Sequence, residues 1–239
     1  MRFPVHLLSL VICGLQSAVA GTSTEGSATI QQLVPASQLP SLAKTYPVDQ
    51  PLRWKIYAPN QSQPPGALVF VSARDEGDLP SEWIQPLEER NLIWIAACEF
   101  GNRRPTAQRV LAALMGLAYA QREFKLDPKR IYVAGISGGG RVASKVITKF
   151  PRLFTGAIYI VGADPWEKSE ASLIPEIARN RYVFITGSND FNRREITSVF
   201  HSYLAAGAAH SYLLDLPHFG HQLPSADQLR DALNYLDTR

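Results

Sequence analysis

The chain has little cysteine: Cys13 and Cys98 are the two in 239 residues. Cys13 lies in an amino-terminal segment that reads as removable, which leaves Cys98 alone. A single cysteine forms no internal disulfide, so core packing must hold the fold even in an oxidising compartment. Long apolar runs are also missing. Residues 5–15 are mostly apolar but too short to span a bilayer, and no later stretch is long and apolar enough to do so. Charge bias is absent: 24 basic against 21 acidic residues leave a net charge of +3. The basic residues are scattered, with short pairs such as Arg103-Arg104 and Arg193-Arg194, which gives no support for nucleic-acid binding. No His, Cys and carboxylate cluster has metal-ligand spacing, so no metal or organic cofactor is implied. There is no internal repeat and no mid-chain linker.

The first twenty residues carry Arg2, the apolar segment 5–15, and Ala18-Val19-Ala20, a small-x-small cleavage pattern. They read as a signal peptide cut after about Ala20, which predicts a secreted or periplasmic protein. A rival reading takes Leu10-Val11-Ile12-Cys13 as a lipidation motif, although Ile12 is bulky where a small residue is expected. Residues 21–44, whose first part is rich in Ser, Thr, Gln and Ala, read as a flexible leader. Residues 45–239 read as one domain.

Within that domain, apolar runs alternate with helical spacing. Leu52-Arg53-Trp54-Lys55-Ile56-Tyr57 alternates as a half-exposed strand does. Continuous apolar runs near 67–71, 92–97, 131–134, 156–162, 182–187 and 212–216 read as strands, most of them buried on both faces. Helices are expected over about 81–90, 106–124, 140–150, 172–178, 194–206 and 225–237. Thr106 is a candidate cap for the second of these, and Ser225 with Gln228 forms a capping box on the last. Strands alternating with helices give an α/β fold with a mostly parallel sheet covered on both faces. Such sheets carry their reactive groups at the carboxyl ends of the strands.

One of those ends is unusual. Gly135-Ile136-Ser137-Gly138-Gly139 fits G-x-S-x-G between a strand and a helix, the context of a nucleophile elbow. Glycines there let strand and helix approach without Cβ clashes and leave the serine oxygen projecting. A serine nucleophile needs a base, and the base needs an orienting acid. His201 falls inside a helix and His210 precedes the last strand, which leaves His218 and His221 in the loop after it. His221 is favoured, because Gly220 lends it backbone freedom and the closing helix follows directly. Asp190, at the end of the strand before, is the favoured acid, with Asp164 as the rival. Oxyanion donors are expected from the N–H of Gly138 and from the loop 72–78, at Ala73 or Arg74. Asn102, Arg103, Trp166 and Phe191 lie on the same side and are candidate pocket residues.

The stretches Asp127-Pro128-Lys129-Arg130-Ile131-Tyr132-Val133-Ala134-Gly135-Ile136-Ser137-Gly138-Gly139-Gly140, Val183-Phe184-Ile185-Thr186-Gly187-Ser188-Asn189-Asp190 and Gly220-His221-Gln222-Leu223-Pro224 carry a resemblance. The chain resembles exported α/β-hydrolases of the poly(3-hydroxybutyrate)-depolymerase-like and feruloyl-esterase-like group, from about Leu52 onward. The resemblance implies an α/β-hydrolase fold and a triad of Ser137, Asp190 and His221. The loop 72–78 departs from that group by lacking its His-Gly motif. The expectation is a serine hydrolase that cleaves a small-molecule or polymeric ester through an acyl-enzyme. The alternatives are a peptidase of the same fold and a non-catalytic binding protein.

Overall fold

A computed structural model of the protein describes residues 21–167 and 172–238. The expected export segment 1–20, with Cys13, lies outside the described residues. The elements are β1 (Thr22–Thr29), α1 (Ile30–Leu33), α2 (Leu39–Leu42), β2 (Pro51–Ala58), β3 (Gly66–Val71), α3 (Ile84–Glu89), β4 (Leu92–Ala97), α4 (Thr106–Glu123), β5 (Ile131–Ile136), α5 (Gly138–Lys149), β6 (Gly156–Ile160), α6 (Ile174–Ile177), β7 (Arg181–Gly187), α7 (Arg193–Ala205), β8 (Ser211–Leu216) and α8 (Ala226–Asp237). Among the described residues, no helix is long and apolar enough to cross a membrane.

The eight strands form one sheet in the order β1-β2-β4-β3-β5-β6-β7-β8. β1 and β2 run antiparallel to their neighbours, and β4 through β8 pair in parallel. This is the α/β-hydrolase fold. Successive side chains of a strand point to opposite faces, and the core divides accordingly. Val69, Val133, Ala157, Tyr159 and Phe184 pack on one face beneath α4, α5 and α7. Leu68, Phe70, Tyr132, Ile158 and Val183 pack on the other, beneath α3 and α8. The continuous apolar runs are thus explained by burial on both sides.

Residues 21–44 differ from the expected flexible leader. β1 pairs with β2 along its whole length, from Thr22 opposite Ala58 to Thr29 opposite Pro51. Its Ser and Thr side chains face mostly outward, while Gly26, Ala28 and the following Ile30 are buried. A polar edge strand gains its order from the backbone ladder rather than from apolar side chains, so composition alone does not reveal it. Two smaller differences concern helix starts. Thr106 makes no capping bond, and Pro105 occupies the cap position of α4. α5 begins at Gly138, directly after the serine.

Trp83 ties the second face to the far end of the chain. It is fully buried, its ring stands edge-on to Phe70 and Trp94 at 5.7 and 5.6 Å, and its Nε1 donates to Pro224 O at 2.8 Å. That bond anchors the loop between His221 and α8, whose capping box at Ser225 and Gln228 forms as expected. Replacing Trp83 with Ala is expected to cost about 3–5 kcal/mol of stability, read as a lower urea midpoint.

Candidate active site

β5 ends one residue before Ser137, which sits at φ 55°, ψ −122°. A non-glycine residue there costs on the order of 1–3 kcal/mol and needs its surroundings to hold it. The Ser137 N–H donates to Ile160 O at 2.8 Å. Glycines close the rest of the turn. A Cβ on Gly139 would stand 1.9 Å from Val71 O, and one on Gly140 2.0 Å from Gly162 O. The first turn of α5 therefore lies directly against the ends of β3 and β6.

His221 bridges Ser137 and Asp190. Its Nε2 is 2.9 Å from Ser137 Oγ, and its Nδ1 is 2.9 Å from Asp190 Oδ1. The Asp190 side chain is wholly buried. Thr186 Oγ1 donates to its Oδ2 at 2.7 Å, and the Asn192 N–H donates to its Oδ1 at 3.0 Å. Asn192 Nδ2 reaches on to Val161 O at 2.8 Å. Val161 is held at φ 46°, an outlier for a β-branched residue. Phe191 is 77% exposed and stacks on the His221 ring at 4.1 Å between centroids.

The rivals lie elsewhere. Asp164 faces α5, with its carboxylate 3.6 Å from Arg141 and 3.3 Å from Lys145. His201 is exposed on α7, and the His210 carbonyl accepts from Tyr182 N at the amino end of β8. His218 is exposed at φ 57° and donates its N–H to Ser188 Oγ at 2.8 Å. The left-handed residue of this loop is therefore His218. Gly220 has open space around it and an ordinary φ, contrary to the backbone freedom expected of it.

A cleft of about 600 Å³ opens beside Ser137 and His221. Phe70, Leu79, Pro80, Ile136 and Leu223 give it apolar walls, and Ala73, Arg74, Glu76 and Asp78 also line it. The Arg74 N–H donates to Ser72 Oγ at 2.9 Å and is thereby engaged. The Ala73 N–H makes no hydrogen bond among the described residues. Of the other pocket candidates, Asn102 lies against Gly138, where its Oδ1 would be 2.3 Å from an added Cβ. Arg103 turns outward to Asp75 at 2.7 Å and is 90% exposed. That guanidinium and the Gly101 N–H hold the Asp75 carboxyl below its ordinary range. Trp166 is half-buried and packs on Tyr203 at 4.6 Å, against the core on one face of the sheet. Asn102, Arg103, Trp166 and Phe191 are not among the residues that line the cleft. Phe191 and Asn102 adjoin it, through the His221 ring and the Ala73 carbonyl, while Arg103 and Trp166 turn away to Asp75 and Tyr203.

Burial pushes the Cys98 thiol up, which disfavours its thiolate. Among the described residues, no three His, Cys, Asp or Glu side chains stand close enough to hold a metal ion.

Three further residues support the site and were passed over in the sequence: Thr186, Asn192 and Arg109. Arg109 had a signal. It shares one helical face with Ala112, Ala113, Gly116 and Ala120, all of them buried, so a charge was placed where the spacing calls for an apolar side chain.

The family model of the prolyl oligopeptidase family matches residues 102–227, from before the elbow to beyond His221. The chain belongs to the prolyl oligopeptidase family. It is a serine hydrolase of the α/β-hydrolase fold. No curated protein matches it by sequence. Solved structures match in fold. A Bacteroides ovatus protein described as a dipeptidyl aminopeptidase IV aligns over 90% of this chain at TM-score 0.65 and 13% identity. This chain spans only 35% of that one. A fungal esterase from Rhizomucor miehei aligns over 93% of this chain and 84% of its own, at TM-score 0.65 and 12% identity. A ferulic acid esterase aligns over 91% and 98%, at TM-score 0.62 and 11% identity. At these identities the likeness is one of fold, and it agrees with the resemblance read from the elbow.

Two glycines give opposite expectations. Gly139→Ala puts a methyl group against Val71 O and is expected to abolish soluble, active protein. Gly220→Ala meets nothing nearer than Gln222 Oε1 at 3.9 Å and is expected to stay within about 0.5 kcal/mol of the parent. Thermal melting and serine-directed labelling of both variants check this.

Proposed function

We propose that the protein is an exported carboxylic-ester hydrolase that works through an acyl-enzyme on Ser137. The observation that carries the reading is the continuous Ser137–His221–Asp190 chain, with both links at 2.9 Å. Ser137 Oγ attacks the ester carbonyl while His221 Nε2 takes its proton. Asp190 accepts from Nδ1–H and so selects the tautomer that leaves Nε2 free to act as base. The resulting oxyanion is met by the N–H groups of Gly138 and Ala73. Ala73 is favoured over Arg74 because the Arg74 N–H already serves Ser72 Oγ. The tetrahedral centre collapses to the acyl-enzyme, and His221 returns the proton to the departing alcohol. Water then repeats the sequence, with His221 as base, and releases the acid and Ser137.

The cleft supports an ester with a small apolar group held against Phe70, Leu79 and Leu223. A peptidase is the second reading, and membership of the prolyl oligopeptidase family is what favours it. A fluorophosphonate is expected to label the protein but not Ser137→Ala, and the protein is expected to hydrolyse short p-nitrophenyl esters. An unlabelled, inert protein refutes the hydrolase mechanism at Ser137. Labelling with peptide turnover but no ester turnover selects the peptidase. Asp190→Asn should lower kcat by about 10⁴-fold, as loss of the orienting acid does in such triads. Asp164→Asn should leave most of it, and the reverse order would reassign the acid.

The amino-terminal residues support export with cleavage after Ala20. The Gly21 N–H donates to Glu88 Oε1 at 2.7 Å. Cleavage there would turn this amide into an α-ammonium group opposite a carboxylate. Amino-terminal sequencing of the protein recovered from outside the cytoplasm is expected to begin at Gly21. Intact residues 1–20, or a modified Cys13, would overturn this route.

A further inference from the structure

Arg109 is a charged side chain for which the proposed reaction has no role. It is 5% exposed. Its Nε donates to Phe100 O at 3.0 Å, its Nη1 to Gly138 O at 3.2 Å and its Nη2 to Ser72 O at 2.8 Å. Among the described residues it makes no ion pair, and Asp75 acts on it only through space. A buried guanidinium held by carbonyls alone is costly, and burial lowers its proton affinity. An apolar side chain would fill the same space without that cost, so the hydrogen bonds themselves need an explanation.

Their endpoints supply it. Ser72 belongs to the loop after β3, Phe100 to the loop after β4, and Gly138 to the first turn of α5. The planar guanidinium is a rigid fork that can reach all three in fixed directions. A trans peptide points its C=O and N–H in opposite directions. With the Ser72 carbonyl drawn to Arg109, the N–H of the same peptide unit, that of Ala73, must point away from it. Ala73 lines the cleft that holds Ser137 and His221. At Gly138 the guanidinium holds the carbonyl of the residue whose N–H lies next to the nucleophile. A cation on the Ser72 carbonyl also polarises that peptide, which makes its N–H a stronger donor.

We propose that Arg109 is the positioning residue of the oxyanion hole, setting the separation and direction of the Ala73 and Gly138 N–H donors from beneath. The proposal rests on the reading of Ser137 as nucleophile. It assigns the setting of the loop 72–78, which lacks the His-Gly motif, to a side chain on α4. Lysine is not an equivalent replacement, since a single ammonium cannot span three separated carbonyls.

The test compares wild type with Arg109→Lys and Arg109→Gln. Fluorophosphonate titration counts reactive sites in each preparation. Turnover of p-nitrophenyl acetate is then expressed per titrated site, and inhibition by a trifluoromethyl ketone, which forms a bound oxyanion with the serine, is measured alongside. Both variants are expected to lose about a hundredfold or more in kcat per site, with KM nearly unchanged. Affinity for the trifluoromethyl ketone should fall in step with kcat/KM. The proposal is overturned if either variant keeps turnover per site within about threefold of wild type, or if KM rises while kcat holds. It is also overturned if the only loss is in the fraction of titratable protein, including variants that yield none, because Arg109 then serves folding alone. An unlabelled wild type instead removes the nucleophile reading, and the proposal falls with it.

Discussion

The contact between the first turn of α5 and the ends of β3 and β6 governs the rest of the site. Gly139 rests on the Val71 carbonyl and Gly140 on the Gly162 carbonyl, at distances no Cβ could occupy. That closeness holds Ser137 in its left-handed conformation and turns its hydroxyl out of the sheet. It also brings the loop after β3 within reach of the helix that follows Ser137. Side chains one carbon longer would push α5 off the sheet and separate Ser137 from the loop after β3.

The acid side is built differently. Asp190 is fully desolvated, and it is tolerated because Thr186, Asn192 and His221 all direct polar hydrogens or a ring nitrogen at it. Asn192 carries the same network to Val161, at the end of β6 beside the elbow. The two halves of the site therefore share a strand end. The elbow is held by backbone packing and the acid by hydrogen bonds, so steric and polar substitutions should act on different halves.

Much of this was legible in the residues. The continuous apolar runs of β3 through β7 announced a sheet buried on both faces. The glycines around Ser137 announced a close strand–helix approach, and the order serine, aspartate, histidine narrowed the base and acid to two candidates each. Other features were silent or misleading. The Ser/Thr-rich stretch at 22–29 looked loose, yet it is an edge strand, because a backbone ladder needs no apolar side chains. Trp166 and Arg103 stood at strand ends, but one packs inward on Tyr203 and the other pairs outward with Asp75.

By itself, then, the sequence determined the alternation of strands and helices, the position of the elbow and the short set of serine, aspartate and histidine candidates. These follow from local periodicity and from steric demands within a few residues. Only the tertiary structure brought Asp190 rather than Asp164, and His221 rather than His218, into the hydrogen-bonded chain with Ser137. It also put the Arg109 guanidinium between two loops and the first turn of α5. Those choices depend on which strand ends become neighbours in the sheet and on where each polar group finds its partner. Such contacts join residues up to 84 positions apart, as between Ser137 and His221, and no local pattern encodes them.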